Sequence, residues 1–167
     1  MSAAGEFAIR DIRRGDLPAV AALNDAQAPA VNAVGPAGLE ELWRGAFRAR
    51  VIGSEGAPLA FLLAFDGRGT CRGPNHAFFR NQLPDLAYLD RIAVAPEARR
   101  QGLARRLHAD LAAGARAAGL GWVGCEVNLD PPNPTSLALH AALGFRALAD
   151  ARDPRNGKLV RYLARPA

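Results

Sequence analysis

The chain has 167 residues, half of them hydrophobic and 22% charged, which reads as a folded globular protein rather than a disordered one. A net charge of +5 attracts anions of any kind, whether nucleic acid, an anionic membrane or a phosphorylated ligand, and selects none of them alone. The longest unbroken apolar stretch, Leu59–Phe65, is far shorter than the roughly 20 residues that a membrane helix needs.

Met1-Ser2-Ala3-Ala4-Gly5-Glu6 lacks the basic start and apolar run of a secretory signal, so a cytoplasmic protein is expected. Phe7–Arg13 alternates apolar and polar residues and predicts a half-buried first strand. Asp16 stands as an N-cap, with Pro18 in the first turn of a helix running to Ala26. Gln27–Pro36 holds two prolines and reads as loop. Ala37–Ala49 predicts a second helix, with Leu39, Leu42, Trp43 and Phe47 on one face. Arg50–Ser54 and Leu59–Phe65 predict strands around a Glu55-Gly56-Ala57-Pro58 turn, the second apolar enough for burial on both faces. Asp66–Pro84, rich in Gly, Pro and Asn, reads as a long loop of the functional or mobile kind. Leu86–Val94 predicts a strand stopped by Pro96. Gln101–Ala118 predicts a helix, with Leu103, Leu107 and Leu111 four apart and Gly119 as its C-cap. Gly121–Val127 predicts a strand, Thr135–Leu143 a short helix ending at Gly144, and Phe145–Leu148 and Leu159–Leu163 the last two strands. No repeat or linker divides the chain, so residues 1–167 are expected to form one domain.

Cys71 and Cys125 form no C-x-x-C pair and read as small core or loop residues. His76, His108 and His140 are scattered, so no metal site is expected.

The informative segment is Val94-Ala95-Pro96-Glu97-Ala98-Arg99-Arg100-Gln101-Gly102-Leu103-Ala104-Arg105, which joins a strand to a helix. A helix N-terminus carries free N–H groups and partial positive charge. Gly102 and Ala104 let a ligand approach the backbone closely. Arg99 and Arg100 at that positive end cost several tenths of a kcal/mol each unless an anion binds there. The segment therefore reads as a phosphate cradle, or more plainly as a solvated basic helix start.

These residues resemble the GNAT superfamily of N-acetyltransferases. The family's pyrophosphate motif, Q/R-x-x-G-x-G/A, is matched by Arg99-Arg100-Gln101-Gly102-Leu103-Ala104. It follows Ile92-Ala93-Val94-Ala95-Pro96, and further on come Asn133-Pro134-Thr135-Ser136 and Leu143-Gly144-Phe145, the family's second hallmark. The resemblance implies an α/β fold with a mixed, mostly antiparallel sheet splayed into a V between strands 4 and 5, with helices on both faces. It implies acetyl-CoA as co-substrate, its pantetheine arm beside Ile92, Ala93 and Val94. Arg99, Arg100, Gln101, Gly102, Leu103 and Ala104 would hold the pyrophosphate, with Asn133, Asn128 and Ser136 on the pantetheine side. The acceptor would be a primary amine of a small molecule or peptide, with neither nucleic acid nor membrane as partner, and homodimers are common in the family.

One position departs from the pattern. Many members carry a Tyr four residues before the Gly of Gly-Phe as general acid, and here that position is His140. With Pro131-Pro132-Asn133-Pro134, Asp90-Arg91-Ile92 and Gly73-Pro74-Asn75, this resembles an uncharacterised bacterial subgroup.

Acetyl transfer requires an amine to lose a proton, a thioester carbonyl to be polarised and a thiolate to be protonated. His140 is a candidate for the last task, since an imidazole titrates near neutrality, or it packs and caps its short helix. Strand alternation puts Asp90 on the face of Ile92 and Val94, where it could take the amine proton, bind a cation or pair with a neighbouring Arg. Asn75, His76, Phe78 and Phe79 are candidates for an acceptor-site wall, or cover the core. Asn24 and Trp43 are weaker acceptor candidates, His108 reads as surface or packing, and Glu126 as a cross-strand partner. A non-catalytic acyl-CoA-binding module of the same fold is the alternative to an enzyme. A nucleic-acid-binding protein is motivated by basicity alone, without a helix-turn-helix, zinc-finger or RNA-binding signature.

Overall fold

The computed structural model describes residues 7–167, so the expectation for Met1–Glu6 lies outside the described residues. In chain order the elements are β1 (Ile9–Asp11), α1 (Leu17–Asp25), α2 (Gly35–Gly45), β2 (Arg48–Ser54), β3 (Ala57–Phe65), α3 (Pro74–Gln82), β4 (Leu86–Val94), α4 (Leu103–Ala117), β5 (Trp122–Asp130), α5 (Pro134–Ala142), β6 (Arg146–Arg152) and β7 (Leu159–Pro166). Single 3-10 turns at Arg14–Asp16 and Pro96–Ala98 precede α1 and α4. The strands form one open, mixed α/β sheet in the order β1-β2-β3-β4-β5-β7-β6. Pairing is antiparallel at β1–β2, β2–β3, β5–β7 and β6–β7, and parallel at β4–β5. The parallel register covers Leu86↔Trp122, Ala87↔Val123 and Tyr88↔Gly124, and stops there although β4 continues to Val94.

Two compact units make up the fold: residues through Ala64 with Arg91–Leu111, and Phe65–Asp90 with Ala112–Ala167. In the first, Ile12, Leu17, Val20, Ala21, Leu39, Val51, Phe61, Leu63 and Ala93 form the core. Burial of β3 from Ala60 to Phe65 bears out the two-faced apolar reading. Trp43 lies against the same core and donates its indole N–H to the Ile12 carbonyl at 3.1 Å, fixing α2 on β1. On α4, Leu103, Leu107, Leu111 and Ala115 are buried while Arg105 and Arg116 face solvent, the period expected of an amphipathic helix. Gly119 ends it at φ +77°, with Leu120 N–H on the Ala115 carbonyl at 2.9 Å, an αL stop that glycine adopts without a Cβ penalty.

Three local expectations are corrected. The second helix ends at Gly45 rather than Ala49, because Arg48 and Ala49 pair with Ala64 and Leu63 in the sheet. The Arg48 guanidinium also meets Asp110 at 2.7 Å, so tertiary pairing overrides helical periodicity there. Asp16 occupies the N-cap position of α1 but makes no side-chain cap bond to it. It is 1% exposed and accepts instead from Arg10 Nη1 and Nη2 at 2.7 and 2.8 Å and from the Arg13 N–H at 2.8 Å. The supposed loop Asp66–Pro84 contains α3, which Pro74 starts and which buries Asn75, His76 and Phe79.

Candidate active site

In the first unit, β4 runs into a turn and then α4. Ala95 N–H donates to the Leu59 carbonyl at 2.8 Å, and Ala98 N–H to the Ala95 carbonyl at 2.9 Å, tying the turn to its strand. Arg100 then takes φ 62°, among the described residues the one non-glycine with positive φ, and Gly102 takes φ 76°. A left-handed arginine costs about 1–2 kcal/mol, and such strain persists where the surroundings or a function hold it. Arg99, Arg100 and Gly102 are exposed, Gln101 and Ala104 are half-buried, and Leu103 anchors the helix in the core. A Cβ on Gly102 would meet nothing within 4 Å, so the space above that backbone is open. Ala93 is buried, while Ile92 and Val94 are partly accessible.

The same unit explains Asn24. It is fully buried, and its amide donates to Asp25 Oδ1 at 2.9 Å and to the Asn32 carbonyl at 3.1 Å. Arg91 Nη1 donates to Asn24 Oδ1 at 3.1 Å and to the Asn32 carbonyl at 3.3 Å. Asn24 thus fastens the α1–α2 connection to β4. Arg99 Nη2 reaches the same connection at Gln27 Oε1, 2.9 Å away.

The second unit holds a polar cluster built around Glu126 of β5. Tyr88 of β4 donates its hydroxyl to the Glu126 carboxyl, 3.0 and 2.8 Å from its two oxygens. Asn75 of α3 also acts on that carboxyl, lowering its pKa, and its Oδ1 accepts from the Tyr162 hydroxyl at 2.9 Å. Both tyrosines of the chain therefore serve this one group. Desolvation, then the negative charge of Asp90, push the Glu126 carboxyl up to about 8 against Tyr88, Asn75 and the backbone, which lower it. Burial likewise pushes the Tyr88 hydroxyl well above its ordinary value. His76 stacks on Tyr88 at 5.0 Å. Its Nδ1 accepts from the Arg72 N–H at 3.0 Å and its Nε2 donates to the Asp66 carbonyl at 3.0 Å, so both nitrogens are engaged and the ring is neutral. Burial is the main force lowering its pKa. Phe79 is fully buried against Gly124, and Phe78 stacks on Tyr162 at 4.0 Å.

At α5, Asn133 caps the helix by accepting from the Ser136 N–H at 3.3 Å, and its own N–H donates to the Asn128 carbonyl at 3.1 Å. His140 is 3% exposed, and its Nδ1 lies 2.7 Å from the Ser136 carbonyl and 3.3 Å from Ser136 Oγ. A carbonyl oxygen only accepts, so the ring proton sits on Nδ1 and the lone pair on Nε2. Burial lowers the His140 pKa, favouring that neutral form. His108 is buried on α4, and Cys125 is buried on β5 while Cys71 is exposed.

The fold thus brings Asp90, Asn75 and His76 into the neighbourhood of Glu126, and Asn128, Asn133, Ser136 and His140 together around α5. Glu126, which centres the second unit's polar cluster, has Tyr162 as its register partner across β5–β7. Alternation gives no signal for Glu126, because in Val123-Gly124-Cys125-Glu126-Val127 it lies opposite Val123, Cys125 and Val127, where a polar residue is expected.

Residues 20–145 match the family described as Acetyltransferase (GNAT). No curated protein matches the chain significantly. Among solved structures, the ribosomal-protein-S18-alanine N-acetyltransferase of Escherichia coli superposes with a TM-score of 0.73 at 21% identity, over 96% of this chain and 93% of that one. Ard1 from Thermoplasma volcanium gives 0.77 at 17% identity, over 96% and 97%. The yncA protein of Salmonella typhimurium, solved with its cofactor acetyl-CoA, gives 0.70 at 20% identity, over 96% and 93%. With three quarters of its length matched to the family and the fold to go with it, the chain belongs to the GNAT acetyltransferases.

Proposed function

We propose that the chain moves an acetyl group from acetyl-CoA to a primary amine by direct attack of the amine on the thioester. The observation that carries this reading is the turn into α4: a left-handed Arg100 and a left-handed Gly102 at the N-terminus of a 15-residue helix. The exposed N–H groups, the helix dipole and the guanidinium groups of Arg99 and Arg100 favour a pyrophosphate there. The partly accessible Ile92 and Val94 on either side of Ala93 support a pantetheine arm alongside this end of β4. Asn128, Asn133 and Ser136, which the start of α5 gathers within the second unit, are proposed as cofactor contacts.

Glu126 is the proposed base. An acceptor amine arrives as an ammonium, whose charge favours ionised Glu126 beside Asp90. The carboxylate takes one proton from the ammonium, the freed amine forms its bond to the thioester carbon, and the carbon–sulfur bond breaks. A carboxyl near 8 is closer to an alkylammonium in proton affinity than an ordinary carboxylate is, which suits it to that transfer. As the carbon–sulfur bond breaks the nitrogen sheds its second proton, which passes through water to the departing thiolate, the conjugate of a thiol with pKa about 8.5, and Glu126 returns its own proton to solvent. His140, with its proton committed to the Ser136 carbonyl, is proposed as a positioning group for α5 rather than the acid.

A non-catalytic acyl-CoA module would share the turn but has no use for a desolvated carboxyl beside a second carboxylate, a combination that concentrates in active sites. The test is release of free coenzyme A from acetyl-CoA in the presence of a panel of primary amines, for wild type and Glu126→Gln. Turnover that falls about 100-fold or more in the variant supports the reading. Undiminished turnover would remove Glu126 from the mechanism, and none with any amine would leave the binding module.

A further inference from the structure

Beside Glu126, and within the same unit, stands a cation that the proposed acetyl transfer does not use. Arg155 lies in the β6–β7 connection. Asp153, 4% exposed, grips one edge of its guanidinium: Arg155 Nε lies 3.0 Å from Asp153 Oδ1, and Nη2 lies 2.7 Å from Oδ2. Asp153 Oδ1 also accepts the Arg155 N–H at 2.9 Å, and the Asp153 carbonyl accepts the Gly157 N–H at 2.7 Å, so the fork is held by an ordered turn. The remaining edge, Nη1, bonds no described residue, and the side chain is 47% exposed.

Nη1 lies over Gly73, the residue before α3. A Cβ on Gly73 would stand 2.5 Å from Nη1, and Gly73 takes φ +107°, a conformation that side-chain-bearing residues rarely adopt. The guanidinium therefore lies over glycine backbone in a space that a side chain would fill. Asn75, two residues further on, accepts from the Tyr162 hydroxyl at 2.9 Å, and Tyr162 is the register partner of Glu126. The Glu126 carboxyl, when ionised, also acts on Arg155 and raises its pKa. A preorganised guanidinium edge with two N–H donors matches a carboxylate.

We propose that the acceptor is a small amino carboxylate, its carboxylate received by the Nη1 edge of Arg155 and its amine presented to Glu126. The inference rests on the amine-acetylating function proposed above and narrows it to zwitterions. Such an acceptor brings one positive and one negative charge to a site that offers Asp90 and Glu126 on one side and Arg155 on the other. Arg155 is then a substrate-binding residue, with Asp153 positioning it and Gly73 leaving it room.

The test compares acceptors that differ only in the carboxylate: α- and γ-amino acids, their amides, the decarboxylated amines, and a short peptide with a free N-terminus. Coenzyme A release is measured with wild type, Arg155→Gln and Arg155→Lys. The expected result is kcat/KM at least about 10-fold higher for an amino acid than for its amide in wild type. Arg155→Gln should raise KM for the amino acid about 10-fold or more while leaving the amide within about twofold, and Arg155→Lys should restore part of the difference. Equal kcat/KM for acids and amides in wild type overturns the proposal whether or not the variants fold. So does a preference for the peptide, or an Arg155→Gln loss equal for acid and amide. Each of those results leaves the acetyltransferase reading intact, whereas turnover of no amine at all brings down both.

Discussion

Replacing Glu126 by Gln keeps the shape of the side chain and an acceptor for the Tyr88 hydroxyl, and removes the ionisation. The carboxyl titrates near 4.5 in an unfolded chain and near 8 in the fold. Between those values the folded protein holds a proton that the unfolded chain has released. Its contribution is therefore fully present below about pH 4.5 and is lost as the pH rises through about 8. At about 1.4 kcal/mol per pH unit, the ceiling on that loss is about 5 kcal/mol, and about 4 kcal/mol of it falls between about pH 5 and about pH 8. His76 and His140, whose pKa values burial depresses, act the other way: their contribution is lost as the pH falls below about 6.5. Both are shared by the two proteins and cancel in the comparison. Urea unfolding of wild type and Glu126→Gln at both ends of the range gives the difference directly. Wild type should lose several kcal/mol relative to the variant on going to the higher pH. Stability profiles that run parallel would refute the claim that this carboxyl is held protonated by burial and by Asp90.

Gly124→Ala places a Cβ 2.7 Å from Phe79 Cε1 and 2.8 Å from Leu86 Cδ1, so overpacking should cost about 1–3 kcal/mol in thermal unfolding. An unchanged melting temperature would mean that β4, β5 and α3 meet with slack. Asp16→Asn should cost about 2 kcal/mol or more, since it weakens two charge-assisted bonds to Arg10 at a buried site. Wild type should lose the same increment in acid, as the pH falls from about 3.9 through the depressed value that the Arg10 bonds impose, and the variant should not.

Regular periodicity made much of this fold legible. The four-residue spacing of Leu103, Leu107 and Leu111, the unbroken apolar run of β3 and the left-handed glycine after α4 each point to one local structure, and each is found. The R-x-x-G-x-A turn was legible because its chemistry is local: one strand end, one glycine and one helix start. α3 was hidden because it presents adjacent phenylalanines and buries two polar residues, Asn75 and His76, in place of an apolar stripe. Pro74, at the first position of the helix, was the signal that could have revealed it. Glu126 was hidden for a different reason. Its environment comes from Tyr88, Asn75 and Asp90, which lie far from it in sequence, and no local pattern reports that they converge. The role of His140 depends on a proton position set by its bond to the carbonyl of residue 136, which residue identity alone does not disclose.

The central claim is that the turn into α4 holds the pyrophosphate of acetyl-CoA. The direct measurement is calorimetric titration of wild type and Gly102→Glu with acetyl-CoA. The new side chain enters open space, so the fold should survive at the cost of a strained φ of +76°, checked by thermal unfolding. Binding in the micromolar range by wild type, abolished in a folded Gly102→Glu, is the predicted result. A folded wild type that does not bind acetyl-CoA, or a variant that binds it as tightly, would contradict the account.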